Sequence, residues 1–243
     1  MKKKLRGSRV VFPLVLIVFG AIFLSCEQPN GPTDSPIVLI GDSIFALSGE
    51  IKNELERLSG EKYRSYCVSG SEMDGGLMGN IPNQYSEAIR TNTDIQTIIM
   101  DGGGNDIQVG GVAVCSSGAT AACKRELQKA LNAADALFAK MRADGVQNII
   151  YMNYFYILNG NTKPAFDWMH DQMEILVKKH NGIIVDPMPY MAPDLIGNDN
   201  IHPTDKGSQM LARLIWNAMT ENNIDPTGGG NAGNGSGGCG FLR

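Results

Sequence analysis

Residues 37–40 form a continuous apolar run, Ile-Val-Leu-Ile, that ends at Gly41, as a strand buried on both faces does. Behind it, Ile44, Leu47, Ile51, Leu55 and Leu58 recur at intervals of three or four residues and Gly60 follows, which predicts one helix that stops there. The alternation then repeats along the chain. Strands are predicted over residues 63–68, 95–100, 146–152 and 183–185. Helices are predicted over residues 84–91, 122–143 and 166–180, with a last one capped by Thr204 and running to Thr220. Strands alternating with helices define an α/β fold whose sheet is mainly parallel and covered on both faces.

The ends of the chain read differently. Residues 1–25 carry Lys2, Lys3, Lys4, Arg6 and Arg9, then an apolar stretch from Val10 to Leu24, the layout of an export signal and too short for a comfortable membrane span. Leu24-Ser25-Cys26 resembles a bacterial lipoprotein signal, in which Cys26 would become the lipidated N-terminus; Phe23 stands where that pattern usually has Leu. Plain secretion and an uncleaved anchor are the alternatives. The expected organisation is a signal at 1–25, a polar tether at 26–36, a catalytic domain at 37–222 and a Gly/Asn-rich disordered tail at 223–243. Gly228, Gly230 and Gly233 match a dinucleotide-binding spacing by accident, since no strand precedes them and no helix follows.

Charge narrows the function classes. Setting the five leader residues aside from 21 basic residues leaves 16 against 25 acidic ones, a balance of −9, which argues against a nucleic-acid partner. Export permits disulfides. Cys115 and Cys123 are close enough to close a small loop, Cys67 reads as a buried apolar residue and Cys239 is left over. No metal-ligand spacing and no phosphate-binding loop is present, so no metal or organic cofactor is expected.

Candidate chemistry gathers at strand ends. Ser43 follows the first strand in Gly41-Asp42-Ser43, where it is either a nucleophile backed by a helix dipole or part of a helix cap. The Gly-x-Ser-x-Gly elbow is absent, because Phe45 occupies its last position. Gly103-Gly104-Asn105-Asp106 follows the third strand, and Asn105 offers an amide donor. Asp199 and His202, three apart before the last helix, suit a carboxylate that orients an imidazole; Asp186 is the second candidate for that acid. His170 is expected on a solvated helix face, and His180 beside terminal helix carbonyls. Met73, Met78, Met152, Met188 and Met191 read as core filler rather than the lining of an acyl groove.

In order, Gly41-Asp42-Ser43, Gly70 in Val68-Ser69-Gly70-Ser71, Gly103-x-Asn105-Asp106 and Asp199-x-x-His202-Pro203 resemble the four blocks of the SGNH, or GDSL-type, hydrolases over nearly the whole of the expected domain. Ile44 stands in place of the Leu of that name. The resemblance implies a flavodoxin-like three-layer α/β/α sandwich. It also implies Ser43 as nucleophile, Asp199 and His202 as its partners, and an oxyanion hole from the Ser43 and Gly70 amides with the Asn105 side chain. The expected activity is hydrolysis of a carboxylic ester through an acyl-enzyme, on a small-molecule, lipid or glycan ester, at a membrane reached through the Cys26 anchor. Acyl transfer on or off an envelope polysaccharide is one alternative. A surface lipoprotein that binds through an inactive hydrolase fold is the other. Residues 107–120 form either a flap stiffened by Cys115 and Cys123 or an inert loop.

Overall fold

A computed structural model describes residues 30–155 and 161–228. The segment read as an export signal, Cys26 and Cys239 lie outside these residues. Five strands, β1 (Ile37–Ile40), β2 (Arg64–Ser65), β3 (Thr97–Met100), β4 (Asn148–Met152) and β5 (Ile183–Val185), form one sheet in the order β2-β1-β3-β4-β5, with every pairing parallel. Around it lie α1 (Ser43–Ala46), α2 (Glu50–Ser59), α3 (Ile81–Thr91), α4 (Val112–Cys115), α5 (Ala121–Ala143), α6 (Lys163–Lys179) and α7 (Asp205–Glu221). Helices α2 and α7 pack together on one side and α3, α5 and α6 on the other. This is the expected three-layer sandwich. β1 and β3 are buried along their whole length, as continuous apolar runs between two helical layers must be.

From β1 the chain crosses outward to β2 and then returns past β1 to β3, so the crossover reverses direction between β1 and β3. Ligands bind at such a reversal, beyond the carboxyl ends of the strands. Ser43 follows β1 and Asn105 follows β3.

Two local expectations are corrected. The helix read as continuous from Ile44 to Leu58 is broken at Gly49, which takes φ +66 between α1 and α2. A left-handed residue cannot sit inside a right-handed helix, and the dipole behind Ser43 is therefore that of a single turn. The second strand shrinks to Arg64–Ser65, although Tyr66 and Val68 still donate to the carbonyls of Leu39 and Gly41. Arg64 is fully buried, and its guanidinium donates to the carbonyls of Ser35, Ala88, Asn92 and Asp94. It ties this edge of the sheet to the end of α3. Beyond β2, Asn30 pairs with Ser65 and Ser35 is buried, so residues 30–36 lie on the domain.

The core reading of the methionines holds for Met73, Met152 and Met191, which are buried, whereas Met78 is exposed. No helix among the described residues is long and apolar enough to cross a membrane.

Candidate active site

The loop after β1 is fixed by its neighbours. A Cβ on Gly41 would lie 1.9 Å from Oδ1 of Asp101, so only glycine fits there. Gln84, from α3, accepts the Gly41 N–H at 2.7 Å and donates from Nε2 to the Gly41 carbonyl at 2.8 Å and to Ser71 Oγ at 2.9 Å. One buried amide thus joins the Ser43 loop to the Gly70 loop. Asp42 caps α1, its Oδ1 accepting the Ile44 N–H at 3.0 Å. Asp42 thus makes the capping bond, which leaves the Ser43 hydroxyl outside the cap.

That hydroxyl faces His202. Ser43 Oγ is 2.8 Å from His202 Nε2, and His202 Nδ1 is 2.6 Å from Asp199 Oδ2. With its proton on Nδ1, the imidazole presents a lone pair to Ser43. The loop that delivers both residues is closed by the Gly197 N–H donating to the His202 carbonyl and by Asn200 at φ +60. The bond to His202, with backbone donors from Ile201 and His202, holds the Asp199 carboxyl at about 2, below the ordinary carboxylate range. Asp186 is not part of this chain, since it is exposed and accepts the N–H of Met188.

Gly70 and Asn105 line the same cleft as Ser43 and His202. Asn105 Nδ2 donates to the Ser71 carbonyl at 2.9 Å and to Asp42 Oδ2 at 3.2 Å. Asp106, its neighbour, accepts the N–H groups of Met73 at 2.7 Å and Asp74 at 3.0 Å. Burial pushes the Asp106 carboxyl up to about 6 against those donors, with Glu72 adding to the rise. The segment from Asp106 onward winds as a π-helical turn, Asp106–Gly110, into α4, and Gln108 and Val109 form a wall of the cleft. Cys115 and Cys123 are disulfide-bonded and tie α4 to the first turn of α5. Cys67 is buried and free.

Three site residues escaped the sequence reading: Gln84, Asp101 and Tyr154. Tyr154 Oη donates to Asp42 Oδ2 at 2.5 Å. Asp42 and Asp101 are both buried, and the Asp42 N–H donates to Asp101 Oδ1 at 2.9 Å. Burial raises both carboxyls; Asp101, beside the Asp42 carboxylate and with fewer donors, rises well above the ordinary range. No motif in the sequence marks these residues, because an Asp at a strand end or a Gln in a helix is common.

His170 is not on a solvated face. Its ring stacks on Tyr154 at 6.5 Å between centroids and meets Phe166 edge-on, and burial lowers its proton affinity. His180 pairs through Nε2 with Asp135 at 2.6 Å, while Arg142 takes the carbonyls of His180 and Asn181. Among the described residues, no group of three or more His, Cys, Asp or Glu is placed to hold a metal ion.

No protein-family model and no curated protein matches this sequence. Solved structures do. LAE5, an alpha/beta hydrolase enzyme from the metagenome of Lake Arreo, Spain, is 17% identical with a TM-score of 0.59, over 76% of this chain and 94% of its own. Axe2, an acetylxylan esterase from Geobacillus stearothermophilus, is similar at 16% identity in a catalytic mutant, with a TM-score of 0.58 over 75% of this chain and 93% of its own. At such identity the likeness establishes the fold: this chain has the three-layer α/β architecture of those hydrolases.

Proposed function

We propose that this chain is a serine-type carboxylic ester hydrolase of the SGNH kind. The observation that carries the proposal is the unbroken chain from Ser43 Oγ through His202 to Asp199, at 2.8 and 2.6 Å, beside an amide donor and in an open cleft. In the neighbouring acetylxylan esterase, the forms described as catalytic mutants are altered at a Ser, an Asp and a His, the last two three positions apart. Asp199 and His202 have the same spacing.

Ser43 Oγ bonds to the ester carbonyl carbon as its proton passes to His202 Nε2, and the carbonyl oxygen takes the negative charge. The amides of Ser43 and Gly70 and the Asn105 side chain stabilise that oxyanion. Collapse breaks the bond to the alcohol, which leaves with the proton from His202. Water, deprotonated by His202, attacks the acyl-enzyme, releasing the carboxylic acid and restoring Ser43. Throughout, Asp199 holds the ring and stabilises its charged form.

Ser43→Ala is expected to abolish hydrolysis of nitrophenyl esters and labelling by a fluorophosphonate. Undiminished turnover in that variant would remove the assignment, and a wild-type protein inert to both reagents would favour the inactive binding lipoprotein. The export signal adds a membrane location through lipidated Cys26. Incorporation of labelled palmitate, lost in Cys26→Ala, tests it.

A further inference from the structure

The cleft beside Ser43 has a volume of about 340 Å³, at the small end for ligand sites. Leu47, Val109 and Ile201 line it with Ile44. Leu47 is 62% exposed and Val109 54%. Met78, half exposed, lies where a Cβ on Gly70 would touch its side chain, and Leu77 beside it is fully exposed. Two of the seven exposed large apolar side chains among the described residues, Leu47 and Val109, thus line this one cleft, and exposed apolar side chains gathered at a cleft mark a binding surface.

The polar inventory is thin. The described lining contains no Lys, Arg, Glu or Trp. Its one aromatic ring, Tyr154, is buried with its hydroxyl committed to Asp42. A sugar ring is commonly held by an exposed aromatic face and a fan of hydrogen-bonding side chains, and among the described polar lining residues only Gln108 and Ser69 remain outside the reaction machinery. Building on the reading of Ser43 as an ester-cleaving nucleophile, we propose that this cleft seats an apolar acyl chain longer than acetyl, held by Leu47, Val109 and Ile201. The substrate class is then an ester of a medium-length fatty acid rather than an acetylated polysaccharide.

The full chain assayed with nitrophenyl acetate, butyrate and octanoate tests this. Burial of a methylene predicts a rise in kcat/KM of about two- to fourfold for each one added. Leu47→Ser combined with Val109→Ser should lower the octanoate-to-acetate ratio of kcat/KM by about tenfold. Fastest turnover of acetate, or an unchanged ratio in the double variant, would overturn the acyl-chain assignment and leave the esterase reading standing. Absence of turnover on all three esters, with no fluorophosphonate labelling of Ser43, would overturn both.

A second inference rests on separate contacts. Both hydrogens of the Asn105 amide are engaged, one by the Ser71 carbonyl at 2.9 Å and one by Asp42 Oδ2 at 3.2 Å. An oxyanion must displace one of these, and the longer bond is the easier to give up. Asp42 Oδ2 is already held by Tyr154 at 2.5 Å. Tyr154 sits there because residue 104 is glycine: a Cβ at Gly104 would lie 2.6 Å from its ring. The geometry points to Tyr154 as a positioning residue that occupies Asp42 and so leaves the Asn105 N–H free to turn to the oxyanion.

Tyr154→Phe should therefore lower kcat about tenfold with KM changed less than twofold, and the loss should vanish in an Asn105→Ala background. Replacing Tyr154 with 3-fluorotyrosine, whose more acidic hydroxyl donates more strongly, should raise kcat above wild type. Additive losses in the double variant, or an unchanged or lower kcat with fluorotyrosine, would overturn the proposal. The fluorotyrosine arm decides the matter even if the Phe variant does not fold.

Discussion

Asp199 grips His202 at two points: its Oδ2 faces the ring Nδ1 at 2.6 Å and its Oδ1 accepts the backbone N–H of the same residue at 3.0 Å. The spacing of three makes this possible, because the chain turns back between them. Asp199→Asn would place an amide N–H or a weaker oxygen against Nδ1 and lose the control of tautomer. The expected fall in kcat is on the order of 10³ to 10⁴ with the fold intact, checked by steady-state kinetics beside a thermal melt. Because the Asp199 carboxyl is held at about 2, its grip is present above the ordinary carboxylate range and is lost only as pH falls through about 2.

Asp106 gives the opposite pH dependence. Its carboxyl titrates near 3.8 in the unfolded chain and about 6 when folded, so between those values the folded protein binds more protons. Stability should fall as pH rises from about 4 to 6 through this group. Melting temperatures across that interval measure it. Asp106→Asn should abolish this contribution, and should cost about 1–3 kcal/mol at pH 7, because one of the two backbone donors would then meet an amide.

The disulfide between Cys115 and Cys123 closes a short loop outside the wall formed by Gln108 and Val109. Reduction should cost about 2–3 kcal/mol of stability, the amount expected for so small a loop. Denaturant curves with and without reductant measure it, and Cys115→Ala with Cys123→Ala should behave like the reduced protein.

Arg64 donates to carbonyls at four positions and makes no ion pair among the described residues. Arg64→Met keeps the length of the side chain and strips those acceptors of their partner. We expect a loss of about 3 kcal/mol or more in urea unfolding, with kcat barely changed because the opposite ends of the strands carry the site.

How much of this was legible can be argued residue by residue. The apolar run before Gly41 and the spacing of Leu127, Leu131 and Phe138 fix strand and helix by local periodicity, which is a property of neighbours in sequence. The helix break at Gly49 was missed because apolar spacing continues across it, while the decision lies in one backbone dihedral. Ser43, Asn105, Asp199 and His202 were visible because each sits in a short motif at a strand or helix end. The tertiary structure alone put Ser43 and His202, 159 positions apart, within hydrogen-bond distance. It alone buried Gln84, Asp101 and Tyr154 behind them, since burial of a polar side chain depends on what distant segments pack over it. The sequence by itself determined the α/β fold and marked the residues proposed to do the chemistry; the packing of the sheet edge decided which of them meet and what lines the cleft.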